Sequence, residues 1–308
     1  MAQTVLVGST GFVGGNLMAA HTFDAAYHST DVAEGFGCRN ELVVYAGVPA
    51  AMFLANRDPA ADLAVMAAAR ENLRRLAPRR LVLISSIAVY RDSRGKDEAS
   101  PMETEGLPPY GANRLQLEQW VREDFNDALI VRLPALYGAG LKKNFLFDLH
   151  TITPTMLKPE KYNELAEKLP LVKTGYTLAD NGFYKLNGTA DKTALKEFFA
   201  GNDFNALAFT DSRSRYQFYN LGRLWQDIET ARAAGLTMLH LCTPPISAAE
   251  VYTAVTGNAD WTNELPKSPF DYDLRSRYAA VLGGSGDYLC TKEEELDDVT
   301  HFLREWRD

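Results

Sequence analysis

The chain has 308 residues, of which 46% are hydrophobic and 23% are charged, a composition typical of a soluble globular protein with one large domain or two smaller ones. Its formal net charge of −8 argues against a nucleic-acid-binding surface. The three cysteines and five histidines are scattered without metal-ligand spacing, so no metal site is predicted. The sequence has neither an apolar run of roughly 18 residues nor a basic leader, so we expect no membrane span and a cytoplasmic location.

Short apolar runs alternate with helical stretches in the first half of the chain. The runs that predict strands are 4–8, 25–29, 41–47, 80–85 and 128–134. Most of them lack polar alternation, which is typical of strands buried on both faces. Strands that alternate with helices favour a parallel sheet covered on both sides. We therefore predict an α/β fold with a Rossmann-type, doubly wound parallel sheet.

The pattern changes after about residue 144. Residues 145–210 are rich in Lys, Glu and Asn and contain helical segments but no convincing buried strand, whereas 237–243 returns to the buried-strand pattern. A helix over 291–306, with Thr291 as its N-cap, ends the sequence. We predict two parts, each formed by two ranges of the chain. A sheet domain comprises 1–140 and about 216–245, and a smaller, mostly helical part comprises 141–215 and 246–308.

A glycine-rich turn follows the first predicted strand. In "VLVGSTGFVGGNL", Gly8, Gly11 and Gly14 are spaced G-x-x-G-x-x-G between a strand and a helix. Glycines there permit a tight turn and let backbone N–H groups approach a pyrophosphate at the positive end of the helix. The position of the motif at the first strand of an alternating pattern predicts a dinucleotide site. The sheet domain is therefore the predicted dinucleotide-binding domain, and the smaller part is the predicted substrate-facing part.

Asp31 lies about 20 residues beyond this turn, near the expected end of the second strand. An acid there would accept a hydrogen bond from the adenosine ribose and repel a 2′-phosphate, which favours NAD over NADP. Ser29 or Thr30 could occupy the decisive place instead, and Asp31 could be a plain loop acid. NAD is the predicted cofactor, and NADP stays open.

Together these motifs resemble the extended short-chain dehydrogenase/reductase family, which includes nucleotide-sugar epimerases, dehydratases and reductases. The similarity is carried by "VLVGSTGFVGGNL", "VVYAG", "LVLISSIAVY", "PYGANRLQLEQ", "VRLPALYGAG" and "LCTPPISAAEV". The resemblance implies a nicotinamide cofactor, a carbohydrate-like substrate and a possible homodimer. The residues that it places at the cofactor are Gly8, Thr10, Gly11, Phe12, Val13, Gly14, Asp31, Ala46, Gly47, Ser85, Tyr110, Arg114 and Pro134.

The resemblance also implies a reaction centre. Family members use a tyrosine as acid/base, a serine or threonine that hydrogen-bonds the same substrate oxygen, and a lysine four residues after the tyrosine that holds the nicotinamide ribose. Ser86 and Tyr110 match the first two positions, and Arg114 stands at the third. An ordinary tyrosine is protonated at neutral pH, and a fixed neighbouring cation favours the phenolate. Ser86, Tyr110 and Arg114 are therefore the predicted catalytic residues.

Three departures from the family pattern qualify the prediction. Arg114 replaces the lysine, and the two cations are not interchangeable. Ile87 and Ala88 stand where dehydratases carry an Asp-Glu pair, which disfavours dehydratase activity. Ala135 stands where many nucleotide-sugar enzymes carry an asparagine. The predicted function is NAD(P)-dependent oxidoreductase or epimerase chemistry, and the alternative is a dinucleotide-binding sensor or assembly protein without turnover.

Candidate substrate contacts come from polar residues in two segments. Guanidinium and ammonium groups suit the phosphates of a nucleotide sugar. Asn144, beside two lysines, and Arg213 and Arg215 are the substrate-binding candidates, although solvated surface positions explain them equally well. The segment 145–215 could be a lid over the substrate or a dimerisation element.

Overall fold

The computed structural model describes residues 3–306. The strands, in chain order, are β1 (Gln3–Val7), β2 (Ala25–Tyr27), β3 (Asn40–Tyr45), β4 (Arg80–Ser86), β5 (Ala128–Leu133), β6 (Ala135–Tyr137), β7 (Met156–Leu157), β8 (Tyr176–Leu178), β9 (Tyr184–Leu186), β10 (Arg215–Tyr216), β11 (Phe218–Asn220), β12 (Met238–His240) and β13 (Ile246–Ser247). The α-helices are α1 (Phe12–Ala20), α2 (Met52–Arg57), α3 (Pro59–Leu76), α4 (Pro109–Asp124), α5 (Phe145–Thr151), α6 (Pro159–Lys168), α7 (Pro170–Gly175), α8 (Lys192–Ala200), α9 (Leu224–Ala233), α10 (Ala248–Thr256) and α11 (Lys292–Glu305).

Six strands form the central parallel sheet, in the order β12-β5-β4-β3-β1-β2. Successive residues of a strand point to opposite faces of a sheet, so a buried apolar strand supplies both cores. In β3, Val43 packs with α3 and α4 on one face, whereas Val44 packs with α1 and α9 on the other. The predicted doubly wound α/β fold is confirmed.

Local signals explain where the helices begin. Asp58 caps α3 by accepting a hydrogen bond from the N–H of Ala61, and Pro59 occupies the first helical position, where its missing N–H costs nothing. At α11, the Thr291 hydroxyl accepts from the N–H of Glu294, whose carboxylate accepts from the N–H of Thr291. This reciprocal capping agrees with the helix start predicted from the sequence.

The chain divides into two compact units. The sheet unit contains residues 3–141, 215–246 and 271–302, and the helical unit contains 142–214, 247–270 and 303–306. The boundaries near 141 and 215 lie where the composition changes. Residues 271–302, which the sequence prediction placed with the substrate-facing part, pack instead in the sheet unit, because α11 supplies buried side chains there.

The helical unit has its own core, built around Leu165, Val172, Leu195 and Phe199. Helices α5 to α8 and α10 belong to this unit, together with an antiparallel sheet in the order β7-β9-β8. The sequence indicated no strand in this region. The three strands have only two or three residues each, which is too short to show a periodic pattern.

Candidate active site

The glycine-rich turn forms the first part of the candidate site. Gly8 has φ +94°, and a Cβ atom there would lie 2.5 Å from the carbonyl oxygen of Ala46. A Cβ atom on Gly14 would collide with the carbonyl group of Gly8. Only glycine therefore allows the turn to close against the segment that follows β3. Of the predicted cofactor residues, Ala46 and Gly47 lie beside Gly8 in this structure.

Helix α1 begins at the end of this turn without a side-chain cap. Its N-cap is Gly11, and its first turn holds no acidic residue. The first N–H groups of a helix need acceptors, and a phosphate can supply them. Thr10 is exposed beside this helix start, whereas Phe12 and Val13 pack against the sheet core. An uncapped helix start behind a glycine cradle fits the pyrophosphate of a dinucleotide.

Asn16 is a structural residue of this region that the sequence reading did not single out. Its side-chain amide donates to the carbonyl oxygen of Ala139 and its Oδ1 accepts from the N–H of the same residue. A Cβ atom on Gly138 would lie 2.6 Å from that Oδ1, so the close approach requires glycine. Asn16 thereby joins α1 to the turn after β6. The signal for this role in the sequence is the position of Asn16, a polar residue inside an otherwise apolar helix.

Asp31 lies four residues after the end of β2. Its carboxylate accepts a hydrogen bond from the N–H of His28 at 2.5 Å, and the other oxygen lies 3.4 Å from the His28 ring. The residues next to the strand end are His28, Ser29 and Thr30. The acid is thus turned back onto its own loop, and Ser29 and Thr30 lie between His28 and this acid.

The two serines at the end of β4 have different surroundings. Ser85 donates to the buried carboxylate of Glu118 at 2.6 Å. The Ser86 hydroxyl accepts from the N–H of Ala88, and its own hydrogen has no acceptor among residues 3–306. Ser86 pairs with Leu133 across the sheet, so Pro134, another predicted cofactor residue, follows at the same edge. The free donor belongs to Ser86, the serine that the family resemblance selects.

Tyr110 occupies the first turn of α4. Its backbone N–H donates to the side chain of Asn56, and the residue is 7% exposed. A Cβ atom on Gly111 would collide with the carbonyl oxygen of Ala88. This contact seats the start of α4 against the short helix that follows Ser86. The two predicted reaction-centre residues therefore flank the contact between this short helix and α4, at the carboxyl edge of the sheet. We call this contact the Ser86–Tyr110 junction.

Arg114 is enclosed by protein groups and is only 4% exposed. Its guanidinium stacks on the Tyr110 ring, with Cζ 3.7 Å from the ring centre. One nitrogen bonds Asp62 at 2.5 Å, and another donates to the carbonyl oxygen of Pro49 at 2.6 Å. The same guanidinium also donates to the backbone carbonyl of Tyr110. Four residues apart, the tyrosine and the cation share a face of α4, and protein groups hold the cation in place.

A buried polar network lies behind Ser85. Arg132 donates two hydrogen bonds to Glu118, one to the Tyr90 hydroxyl and one to the ring of His240. Both members of the Arg132–Glu118 pair are at most 1% exposed. Removal of one partner of a buried ion pair leaves the other charge without compensation. This network therefore holds the ends of β4, β5 and β12 in one arrangement. Arg132 thus has a structural role at the end of β5.

Protonation states in this network follow from its hydrogen bonds. His240 Nδ1 lies 3.0 Å from the carbonyl oxygen of Arg275 and must donate to it, which leaves Nε2 to accept from Arg132. Burial is the main cause that lowers the pKa of His240, so the ring stays neutral. Burial also raises the pKa of Tyr90 to about 12. The network therefore holds a neutral imidazole and a neutral phenol at physiological pH.

The arginines predicted as substrate contacts have intramolecular partners. In the helical unit, Arg213 bonds both Asp211 and Glu264. In the sheet unit, Arg215 bonds Asp271. Both arginines keep nearly half of their side chain exposed. Each could contact a ligand only while sharing its charge with an acid.

Asn144 has a structural role at the start of α5. It is the N-cap residue, it has φ +102°, and its side chain accepts from the N–H of Phe147. Tyr219, four residues after Arg215, is buried and donates to Asp227. The structure thus gives the Tyr219 hydroxyl an internal acceptor.

The match to a family model decides the classification. Residues 3–157, about half of the chain, match the RmlD substrate binding domain. The chain belongs to that family. The prediction of an extended short-chain dehydrogenase/reductase enzyme, made from the sequence motifs, is confirmed. No curated protein matches the chain.

Solved structures of similar fold extend over the full length. The dTDP-4-dehydrorhamnose reductase of Bacillus anthracis, solved with NADP, is 16% identical, with 99% of each chain covered and a TM-score of 0.61. The UDP-glucose 4-epimerase of Thermotoga maritima, solved with UDP-glucose, is 12% identical, with 98% of each chain covered and a TM-score of 0.61. A NAD-dependent NDP-hexosamine 5,6-dehydratase of tunicamycin biosynthesis is 15% identical, with 99% of this chain and 98% of that chain covered and a TM-score of 0.60. At these identities the likeness concerns the fold.

Within residues 3–306, no helix combines the length and the apolar character needed to cross a bilayer.

Proposed function

We propose that this protein is a NAD(P)-dependent reductase or epimerase that acts on a hydroxyl or carbonyl group of a nucleotide-linked sugar. The observation that carries the proposal is the junction at the carboxyl edge of the sheet, where Ser86 and Tyr110 flank one short helix. Ligands of open α/β sheets bind outside the carboxyl ends of the strands. The glycine cradle from Gly8 to Gly14 opens at the same edge.

The chain's own groups suit proton transfer at a substrate oxygen. In this proposal the Ser86 hydroxyl, which has a free hydrogen, donates to that oxygen, and Tyr110 in the first turn of α4 gives or takes a proton there. Arg114 holds the ring of Tyr110 by stacking on its face. A bound nicotinamide would supply or accept the hydride. A reductase would use the hydride once, and an epimerase would return it to the opposite face of the sugar.

Reduction or epimerisation is favoured over dehydration by the residues that follow Ser86. Elimination requires an acid and a base beside the sugar. Ile87 is buried in an apolar cluster and Ala88 has no ionisable group. One of the similar structures belongs to a dehydratase, so product analysis must include dehydrated sugars.

The experiment measures cofactor binding and turnover separately. Purified protein would be titrated with NADH and NADPH and then assayed with a panel of nucleotide sugars and their 4-keto forms. Tyr110→Phe should bind the cofactor as the wild type does and lose turnover by about 100-fold or more. Tyr278→Phe removes a hydroxyl in the same unit and serves as the control. A protein that binds neither dinucleotide would refute the proposal.

A binder without turnover is the second candidate, and the surroundings of Arg114 favour it. The cation that would hold the nicotinamide ribose is already bonded to Asp62 and to the carbonyl oxygen of Pro49. In a sensor of this kind the dinucleotide binds tightly, no sugar of the panel is converted, and Tyr110→Phe changes nothing. The assays above separate the two functions.

A further inference from the structure

A cavity of about 380 Å³ lies within the sheet unit, and its lining includes none of the predicted catalytic, cofactor or substrate residues. It is bordered by the β6–β11 pair, by the segment after β12 and by the first turns of α11. Its polar lining includes Tyr137, Asn220, Arg223, Glu295 and Asp298. None of these residues takes part in the glycine turn, the Ser86–Tyr110 junction or the Arg132 network.

Glu295 is the residue of this cavity that lacks a complete set of partners. It is 2% exposed. Its Oε1 accepts from the N–H of Phe218 at 2.8 Å and from the Thr243 hydroxyl at 2.9 Å. Its Oε2 is buried and has no hydrogen-bond partner among residues 3–306. A buried carboxyl oxygen without a partner costs free energy that a donor would recover.

Two further carboxyl groups, those of Asp298 and Glu294, belong to the lining. Oδ2 of Asp298 accepts from the Tyr137 hydroxyl and from the amide of Asn220. The one cation there, Arg223, lies 3.6 Å from the carboxylate of Asp227 and so shares its charge with that acid. Three carboxyl groups and one compensated guanidinium favour a positively charged occupant.

Apolar side chains complete the wall of the cavity. Phe218, Leu282 and Leu289 contribute to its lining beside the carboxyl groups. A ligand with a short hydrocarbon body and a terminal ammonium would bury the body against these residues and donate to the acids. We propose that this cavity is a binding site for a small aliphatic amine, whose ammonium group donates to Oε2 of Glu295.

Binding of an ammonium group is coupled to the release of the Glu295 proton. Burial raises the pKa of Glu295 to about 8, so the empty site holds a largely protonated carboxyl at pH 7. An ammonium favours the ionised form, and its binding therefore releases up to one proton. The charged or titratable groups around Glu295 are Lys292, Glu294 and Asp298 on its own helix, Cys290 before it, and Arg223, Tyr137 and Tyr219 elsewhere in the lining.

The test uses 1,4-diaminobutane as the probe and 1,4-butanediol as the neutral control of equal length. Calorimetric titrations at pH 7, in buffers of different ionisation enthalpy, give the affinity and the number of protons released. The wild type should bind the diamine, release a proton and prefer it over the diol by at least about tenfold. This comparison of diamine with diol is made on the wild-type protein alone.

Glu295→Gln keeps an oxygen for Phe218 and Thr243 but presents an amide that cannot ionise. We expect it to weaken diamine binding by at least about tenfold and to abolish the proton release. Asp297→Asn removes an exposed charge from the same helix outside the cavity and should leave both unchanged. The proposal is overturned by any of four results: no diamine binding by the wild type, equal binding of the diol, unchanged binding by Glu295→Gln, or binding of Ca²⁺ in place of the diamine.

Discussion

Arg114 differs from a lysine at the same position because its planar cation can stack by its face and bond at its edges. Both uses are present, since the Tyr110 ring covers one face while Asp62 and the carbonyl oxygen of Pro49 take edge nitrogens. A lysine ammonium could meet Asp62 but could not stack flat on the ring at the same time. The Tyr110 ring, Asp62 of α3 and the carbonyl oxygen of Pro49 thus hold Arg114 in place, and we call this arrangement the Arg114 clamp.

The first prediction is that this clamp contributes measurably to stability. Asp62→Ala should lower the free energy of unfolding by about 3 kcal/mol, because it leaves a buried guanidinium without its counter-charge. Asp92→Ala is the matched control: its pair with Arg94 is about half exposed and should contribute less than about 1 kcal/mol. Urea titrations of the three proteins provide the comparison. Equal losses in the two variants would show that the clamp is no stronger than a surface pair.

At this scale the sequence predicted contacts within one helix but not those between helices. The spacing of Tyr110 and Arg114 placed them on one face, and the guanidinium lies over that ring. The partner Asp62 is 52 residues away, and only the packing of α3 against α4 brings it near. Asn144, Arg213 and Arg215 illustrate the same limit: their residue types suit phosphate, but neighbouring groups engage them inside the fold.

At the scale of elements, the long buried strands and their helices were predictable because the signals are local. Continuous apolar runs gave β1, β3, β4 and β5 within one or two residues, and the N-cap Thr291 gave the start of α11. The strands of the helical unit were missed because two or three residues carry no period. The membership of α11 was missed because its place depends on which surface buries it, which no local pattern encodes.

The turn before α1 gives the second prediction, in which two adjacent glycines behave oppositely. Gly14→Ala should weaken NADH and NADPH binding by at least about tenfold, because the new methyl group meets the carbonyl of Gly8 and displaces the cradle. A Cβ atom on Gly15 would have no neighbouring atom within 4 Å, and the residue lies inside α1. Gly15→Ala should therefore retain dinucleotide binding and raise the free energy of unfolding by about 0.5–1 kcal/mol. Fluorescence titration and thermal melting measure the two effects. Similar losses of binding in both variants would contradict a steric role for Gly14.

At the scale of the whole molecule, buried carboxyl groups link stability to pH in both units. Burial raises the pKa of Asp148 in the helical unit to about 7 and that of Glu295 in the sheet unit to about 8. Burial also raises the pKa of Asp227. Each group holds its proton more tightly in the folded than in the unfolded chain. Its contribution is therefore full below the unfolded pKa near 4 and is lost as pH rises through the folded pKa.

Groups with lowered pKa act at the other end of the pH range. The pKa of His240 is lowered, chiefly by burial. The folded state therefore loses stability as pH falls below about 6.5, because the imidazole becomes charged in the unfolded chain. Arg94 holds the pKa of Asp92 at about 2, and that contribution is lost only in stronger acid. Between about pH 6.5 and 8.5 the raised carboxyl groups therefore determine the slope.

The third prediction follows from this window. Wild-type stability should fall by about 3 kcal/mol between about pH 6.5 and 8.5, since a carboxyl that is protonated only in the folded chain contributes at most about 1.4 kcal/mol per pH unit. Asp148→Asn and Glu295→Gln cannot titrate, and the double variant should lose most of the slope over the same range. Urea midpoints at each pH measure the slope. If the two units unfold in separate transitions, Asp148→Asn should flatten the transition of the helical unit and Glu295→Gln that of the sheet unit. A wild-type stability that rises over this window, or a double variant that keeps the wild-type slope, would contradict the assignment of both carboxyl groups.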